Sequence, residues 1–144
     1  MEPIIRPVHD ADVAAIAAWT QDTFEWGDYV ADAIPTWMSE DDSFVVVAEV
    51  DGTVVGVTRT LLVSPTEAWA QGTRIHPDHR RRGIGMALAG QLETWASERG
   101  ARVMRSMVED WNEAARAQSL KLGYREIGSW VRAGRGRGCS TITL

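Results

Sequence analysis

Between an extended segment and an apolar-periodic one, the chain runs Thr73-Arg74-Ile75-His76-Pro77-Asp78-His79-Arg80-Arg81-Arg82-Gly83-Ile84-Gly85. Ile84, Leu88, Leu92 and Trp95 recur at helical spacing and Arg99-Gly100 supplies a stop, so the pattern predicts a helix over residues 84–98 that opens at the two glycines. The first N–H groups of a helix have no partner within it and lie at the positive end of its dipole, where an anion is favoured. Without side chains at Gly83 and Gly85 a pyrophosphate can reach those amides, and Arg80, Arg81 and Arg82 add positive charge around it. A spaced glycine pair alone also fits a basic turn ahead of a helix, so the neighbouring elements must decide.

Those elements are legible in outline. Residues 4–8 read as a short strand, and Asp10 or Asp12 is placed to cap a helix through Val13 and Ile16 to about Thr20. Val30, Ile34 and Trp37 give a second helical stretch within residues 29–38, with Pro35 as a kink or break. β-branched runs on either side of Asp51-Gly52 predict a hairpin of residues 44–50 and 53–63, followed by a strand over 67–75. Residues 102–108 read as a strand returning from a strand–helix crossover, parallel to 67–75. Asp110 or Asn112 is placed to cap the next helix, with Glu113 as a capping-box partner. Residues 124–131 and 139–144 are expected as the last strands, joined by a Gly/Arg-rich loop.

A length of 144 residues, with 44% hydrophobic and 24% charged, is the composition of one compact domain, expected to span residues 1–144. No apolar run approaches the length that spans a bilayer, and the N-terminus, with Glu2, Asp10 and Asp12, lacks the order of a signal peptide, so a cytoplasmic protein without membrane association is expected. Cys139 is the only cysteine, which excludes an intramolecular disulfide and a cysteine metal cluster; His9, His76 and His79 do not have metal-ligand spacing, so no metal is expected. Charge is uneven. No Lys or Arg falls between Arg6 and Arg59, an interval with eleven acids, whereas seven arginines fall from Arg74 to Arg105. That asymmetry suits a cationic amine meeting a polyanion. Nucleic acid is not an expected partner, since the net charge is −5 and neither arginine cluster is interleaved with aromatics.

The spacing from Ile75 through Pro77, Arg80 and Gly83 to Gly85 resembles the acyl-CoA motif of the GNAT superfamily of N-acyltransferases. Asn112-Glu113-Ala114-Ala115-Arg116-Ala117-Gln118-Ser119-Leu120-Lys121-Leu122-Gly123-Tyr124 resembles that family's later signature, an Asn opening a helix that ends in Gly and an aromatic. The resemblance covers nearly the whole chain. It implies an α/β (α+β) fold: a mixed, mostly antiparallel central sheet with splayed parallel strands in the middle and helices on both faces. It implies acetyl-CoA as co-substrate. Backbone groups of Thr73 and Ile75 would meet the pantetheine arm, with Arg74 between them counted among the cations that face the cofactor. Arg80, Arg81, Arg82, Gly83, Ile84, Gly85 and Met86 would hold the pyrophosphate, and Asn112 would contact pantetheine or adenylate. The activity implied is acetyl transfer to a primary amine of a small molecule, peptide or protein by direct attack in a ternary complex; a homodimer is a possible assembly.

Attack of an amine on a thioester needs the ammonium, with a pKa of about 10.4, to lose a proton, whereas a thiol of pKa about 8.5 leaves readily. Here the chain departs from the family. Many relatives carry a Tyr seven residues after the Asn as proton donor to sulfur; this chain has Ser119. The strand position that often carries a Glu base is Trp69, and Glu67, two residues earlier on the same strand face, is the first substitute, with Glu109, His76 and the loop acids Glu25 and Asp28 as rivals. Glu25, Trp26 and Asp28 are candidates for the amine-binding surface, with Trp26 over the cation. The missing Tyr and Glu keep an alternative open: a catalytically silent CoA-binding sensor or interaction module.

Overall fold

The computed structural model describes residues 2–132 and 140–143. The chain divides into two compact units, Met1–Met104 and Arg105–Leu144. In the first, β1 (Ile4–Pro7), α1 (Asp12–Thr20), α2 (Val30–Ser39), β2 (Ser43–Val50), β3 (Thr53–Ser64), β4 (Glu67–Ile75) and α3 (Ile84–Glu98) lead to β5 (Val103–Ser106). The strands follow the order β1-β2-β3-β4-β5; all neighbours are antiparallel except β4 and β5, which are parallel.

The unbroken apolar run of β2 has the composition of a strand buried on both faces. Val45 and Val47 face one way, into a core with Ile16 of α1 and Val30, Ile34 and Trp37 of α2. Val46 and Ala48 face the other, into a core with Ile84, Leu88 and Leu92 of α3. The hairpin turns as Asp51-Gly52 predicts, both residues having positive φ, 51° and 77°. Asp12 does not cap α1. Its carboxylate accepts from the His9 N–H at 2.7 Å and from both terminal nitrogens of Arg6 at 2.8 and 2.9 Å, and the cap position is Ala11. The acid-rich first half therefore has a structural use. Asp12 and Glu49 pair with Arg6, Glu40 with Arg59 and Asp28 with Arg74.

Two glycines set the geometry that carries the candidate site. Gly56 of β3 sits beneath the start of α3: a Cβ there would come within 3.1 Å of both Ile84 and Leu88. Gly56→Val is expected to overpack this contact and cost about 1–3 kcal/mol, read as a lower denaturant midpoint with unchanged slope. In β4, Gly72 and Thr73 stand opposite the single residue Thr58, a bulge at which Gly72 takes φ 71°. A side chain at Gly72 would strike Trp37 at 2.8 Å, while the Thr58 and Thr73 hydroxyls share a hydrogen bond of 2.7 Å. The bulge reverses the parity of the strand. Ala70 before it and Ile75 after it pack in the same α3-side core although they are an odd number of residues apart.

In the second unit, β6 (Val108–Glu109), α4 (Glu113–Lys121), β7 (Ser129–Arg132) and β8 (Ser140–Thr143) follow β5, and the strands form a separate sheet of order β6-β8-β7. Two strand expectations are corrected, and the choice between the two cap candidates is settled. Residues 102–108 are not one strand, because pairing breaks at Met107 and Glu109 belongs to β6, opposite Ile142. Residues 124–128 are not strand, β7 starting only at Ser129. Asn112 alone caps α4, its side-chain oxygen accepting from the Ala115 N–H at 3.1 Å, with Glu113 already the first helical residue. Cys139 and the Gly/Arg-rich loop lie outside the described residues. No described helix is long and apolar enough to cross a membrane.

Candidate active site

The loop from β4 to α3 is shaped by its backbone. Pro77–His79 forms a 3-10 turn in which the Asp78 N–H donates to His76 Nδ1 at 3.2 Å. The chain then extends through Arg80, whose Nε donates to the Ile75 carbonyl at 3.4 Å, and passes through two left-handed residues, Arg81 at φ 60° and Gly83 at φ 79°. A left-handed arginine stores strain of about 1–3 kcal/mol, and such residues cluster at ligand sites. Gly83 is the cap residue of α3, and no side chain caps the helix; a Cβ at Gly83 would meet nothing within 4 Å. Glycine is thus required at 83 for conformation, and the space in front of the helix is open. Arg80, Arg81, Arg82 and Met86 are exposed and Gly85 is half-buried. Uncapped N–H groups, the positive end of a four-turn helix and three exposed guanidinium groups fit a pyrophosphate.

Arg74 does not join that loop. It leaves β4 on the α1/α2 side and grips Asp28, Nε to Oδ2 at 2.6 Å and Nη2 to Oδ1 at 3.2 Å, with the Asp28 side chain wholly buried. Burial opposes charge on Asp28, but the Arg74 guanidinium, the Val30 N–H and the Thr23 hydroxyl outweigh it and hold the carboxyl below the usual aspartate range. Two expected roles are corrected together: the guanidinium is spent inside the protein rather than on a cofactor, and the Asp28 carboxylate is not presented to an amine. Glu25 and Trp26, on the same loop, are exposed.

The catalytic candidates separate. Glu67 opens β4 eight residues before Ile75, about 26 Å of extended strand at about 3.3 Å per residue, well beyond hydrogen-bond reach of a reaction at Ile75. His76 uses Nδ1 as an acceptor and its ring lies against Trp19 and His79, at 5.7 and 5.6 Å between centroids, so its neutral form carries the proton on Nε2 and has no basic lone pair to offer there. The Ser119 hydroxyl donates to the Ala115 carbonyl one helical turn back at 2.9 Å. Glu109 is half-buried in β6. Asn112 commits its side-chain oxygen to the helix cap.

One residue escaped the sequence reading. Ser119 lines a small pocket of about 50 Å³ with Ser106, Val108, Tyr124, Arg116 and Glu126, the last two pairing at 3.6 Å. Tyr124 therefore lines the same cavity as Ser119. Its signal was present as the aromatic after Gly123, but only the turn after α4, where the Tyr124 N–H donates to the Ser119 carbonyl at 3.1 Å, folds it back.

The sequence model described as the Acetyltransferase (GNAT) family matches residues 13–124. An aminoglycoside N(6')-acetyltransferase type 1 from Klebsiella aerogenes is 25% identical over 138 residues, covering 87% of this chain and 91% of that protein. An acetyltransferase from Yersinia pestis strain Pestoides F is 35% identical over 100 residues, 69% of either chain. A solved structure of AAC(6')-Iy in complex with the bisubstrate analogue CoA-S-monomethyl-acetylneamine has a TM-score of 0.77 to this fold at 19% identity, over 96% of this chain and 100% of that one.

Proposed function

Because the chain belongs to the GNAT family of acetyltransferases, we propose that it transfers an acetyl group from acetyl-CoA to a primary amine of a small molecule or peptide, by direct attack while both are bound. The observation that carries this reading is the uncapped, glycine-opened start of α3 behind three exposed arginines. When bound, the thioester supplies an activated acetyl group on a thiol that leaves readily. Residues 80–86 hold its pyrophosphate through N–H groups and guanidinium charge, and Ile75 offers its backbone N–H where negative charge develops on oxygen. The relative named for aminoglycosides puts amino sugars at the head of the acceptor list.

Proton removal is the less demanding half. With Asp28 paired, His76 turned and Glu67 remote, the amine loses its proton to water, with Glu109 the remaining strand carboxylate. For proton donation to a thiolate, a phenol is by type a far better acid than an alcohol, which makes Tyr124 the candidate ahead of Ser119. Ser119→Ala should lower kcat less than about threefold, and Tyr124→Phe about 10–100-fold, below the usual general-acid contribution because a thiolate leaves readily. The reverse order would return the role to Ser119.

Thiol release from acetyl-CoA with a panel of primary amines, amino sugars included, tests the activity. Release with at least one amine is expected. The second reading, a silent CoA-binding module, is favoured by the Ser119 hydroxyl being spent on its own helix, and it predicts CoA binding with no release on any amine.

A further inference from the structure

A buried ion pair ties the loop of residues 21–29 to β4. Asp28 precedes α2 and accepts from the Val30 N–H at 3.1 Å, so it fixes the helix start as well as Arg74, 46 residues away. The Arg74 guanidinium lies over the ring of Phe24 at 5.2 Å and over that of Tyr29 at 5.7 Å, and donates to its neighbour's carbonyl, Thr73 O, at 3.0 Å. Phe24 in turn stacks parallel on Trp26, 5.1 Å between centroids and 5° between planes, and Trp26 is 73% exposed. One guanidinium beside the β4 bulge thus orders both aromatic ends of the loop, and the stack finishes in an open indole next to Glu25.

We propose that the Arg74–Asp28 pair is a latch that holds loop 21–29 as the acceptor platform, making Arg74 a positioning residue that sets recognition of the amine and not of CoA. This rests on the acetyltransferase reading for what the platform binds. A planar, bidentate guanidinium does what a lysine cannot: it meets both Asp28 oxygens while filling the gap between two rings. The ligand that matches an open indole beside a carboxylate is a primary ammonium carried on a body with an apolar face, such as a sugar or aromatic ring.

Arg74→Lys and the isosteric Asp28→Asn, made in the full chain, test the latch by three readouts: amide hydrogen exchange, amine kinetics, and CoA affinity by calorimetry. Expected are at least tenfold faster exchange at residues 22–29, unchanged exchange in residues 84–98, an amine KM raised at least tenfold with kcat within threefold, and CoA affinity within threefold. Unchanged exchange at 22–29 would overturn the latch, as would a tenfold loss of CoA affinity, which would return Arg74 to the cofactor. Exchange decides the latch even if the unaltered protein acetylates no amine, a result that would sink the activity alone.

Discussion

Gly85→Val is expected to weaken CoA binding at least a hundredfold while the protein stays folded. Gly85 is the second residue of α3, where the N–H groups point out of the helix and no side chain caps them. A branched side chain there stands where a phosphate oxygen must approach the backbone, so the lost contacts are hydrogen bonds to a charged group, worth about 1.5–3 kcal/mol each. Arg82→Ala removes one mobile charge from three and should cost no more than one such contact. Calorimetric titration with CoA checks both. Unchanged affinity in a folded Gly85→Val protein would show that the phosphates bind elsewhere.

Between pH 7 and pH 9, kcat/KM for an alkylamine should rise about a hundredfold, close to tenfold per unit, because the free amine fraction rises that steeply below a pKa of about 10.4. The sign follows from which species reacts: raising pH removes the proton that Asp28, His76 and Glu67 are not placed to take. An enzyme with a dedicated base would accept the ammonium and level off above the base's pKa. Initial rates at low amine concentration give the profile. A plateau by pH 7.5 that disappears in Glu109→Gln would make Glu109 the base. Glu67→Gln and His76→Ala should each stay within threefold at every pH.

Much of this was legible without coordinates because it rests on local rules. The four apolar positions of α3 sit at helical spacing, and the helix spans Ile84–Glu98. The Asp-Gly turn needs two positive φ angles, and these residues take them. The Asn112 cap follows from a short acceptor side chain three residues before an open N–H. β4 also runs over Glu67–Ile75 as its bounding turn signals indicate.

The sequence by itself determined the family, most of the elements and the glycine-opened start of α3, since each is written in period, turn chemistry and spacing within a few residues. Three further matters needed tertiary structure. A bulge adds one residue to a strand without altering its composition, so alternation alone would put Trp69, six residues before Ile75, on the face of Ile75, whereas the bulge at Gly72 reverses the count. Arg74 reads as a cofactor cation beside the motif, but its partner comes from a loop 46 residues earlier, and only packing brings Asp28 to it. Ser119 and His76 look available as letters, yet each gives its polar atom to a backbone group, a commitment made by the turn of a helix in one case and of a loop in the other. Local rules fix which groups the chain carries; the fold decides which of them are already spent.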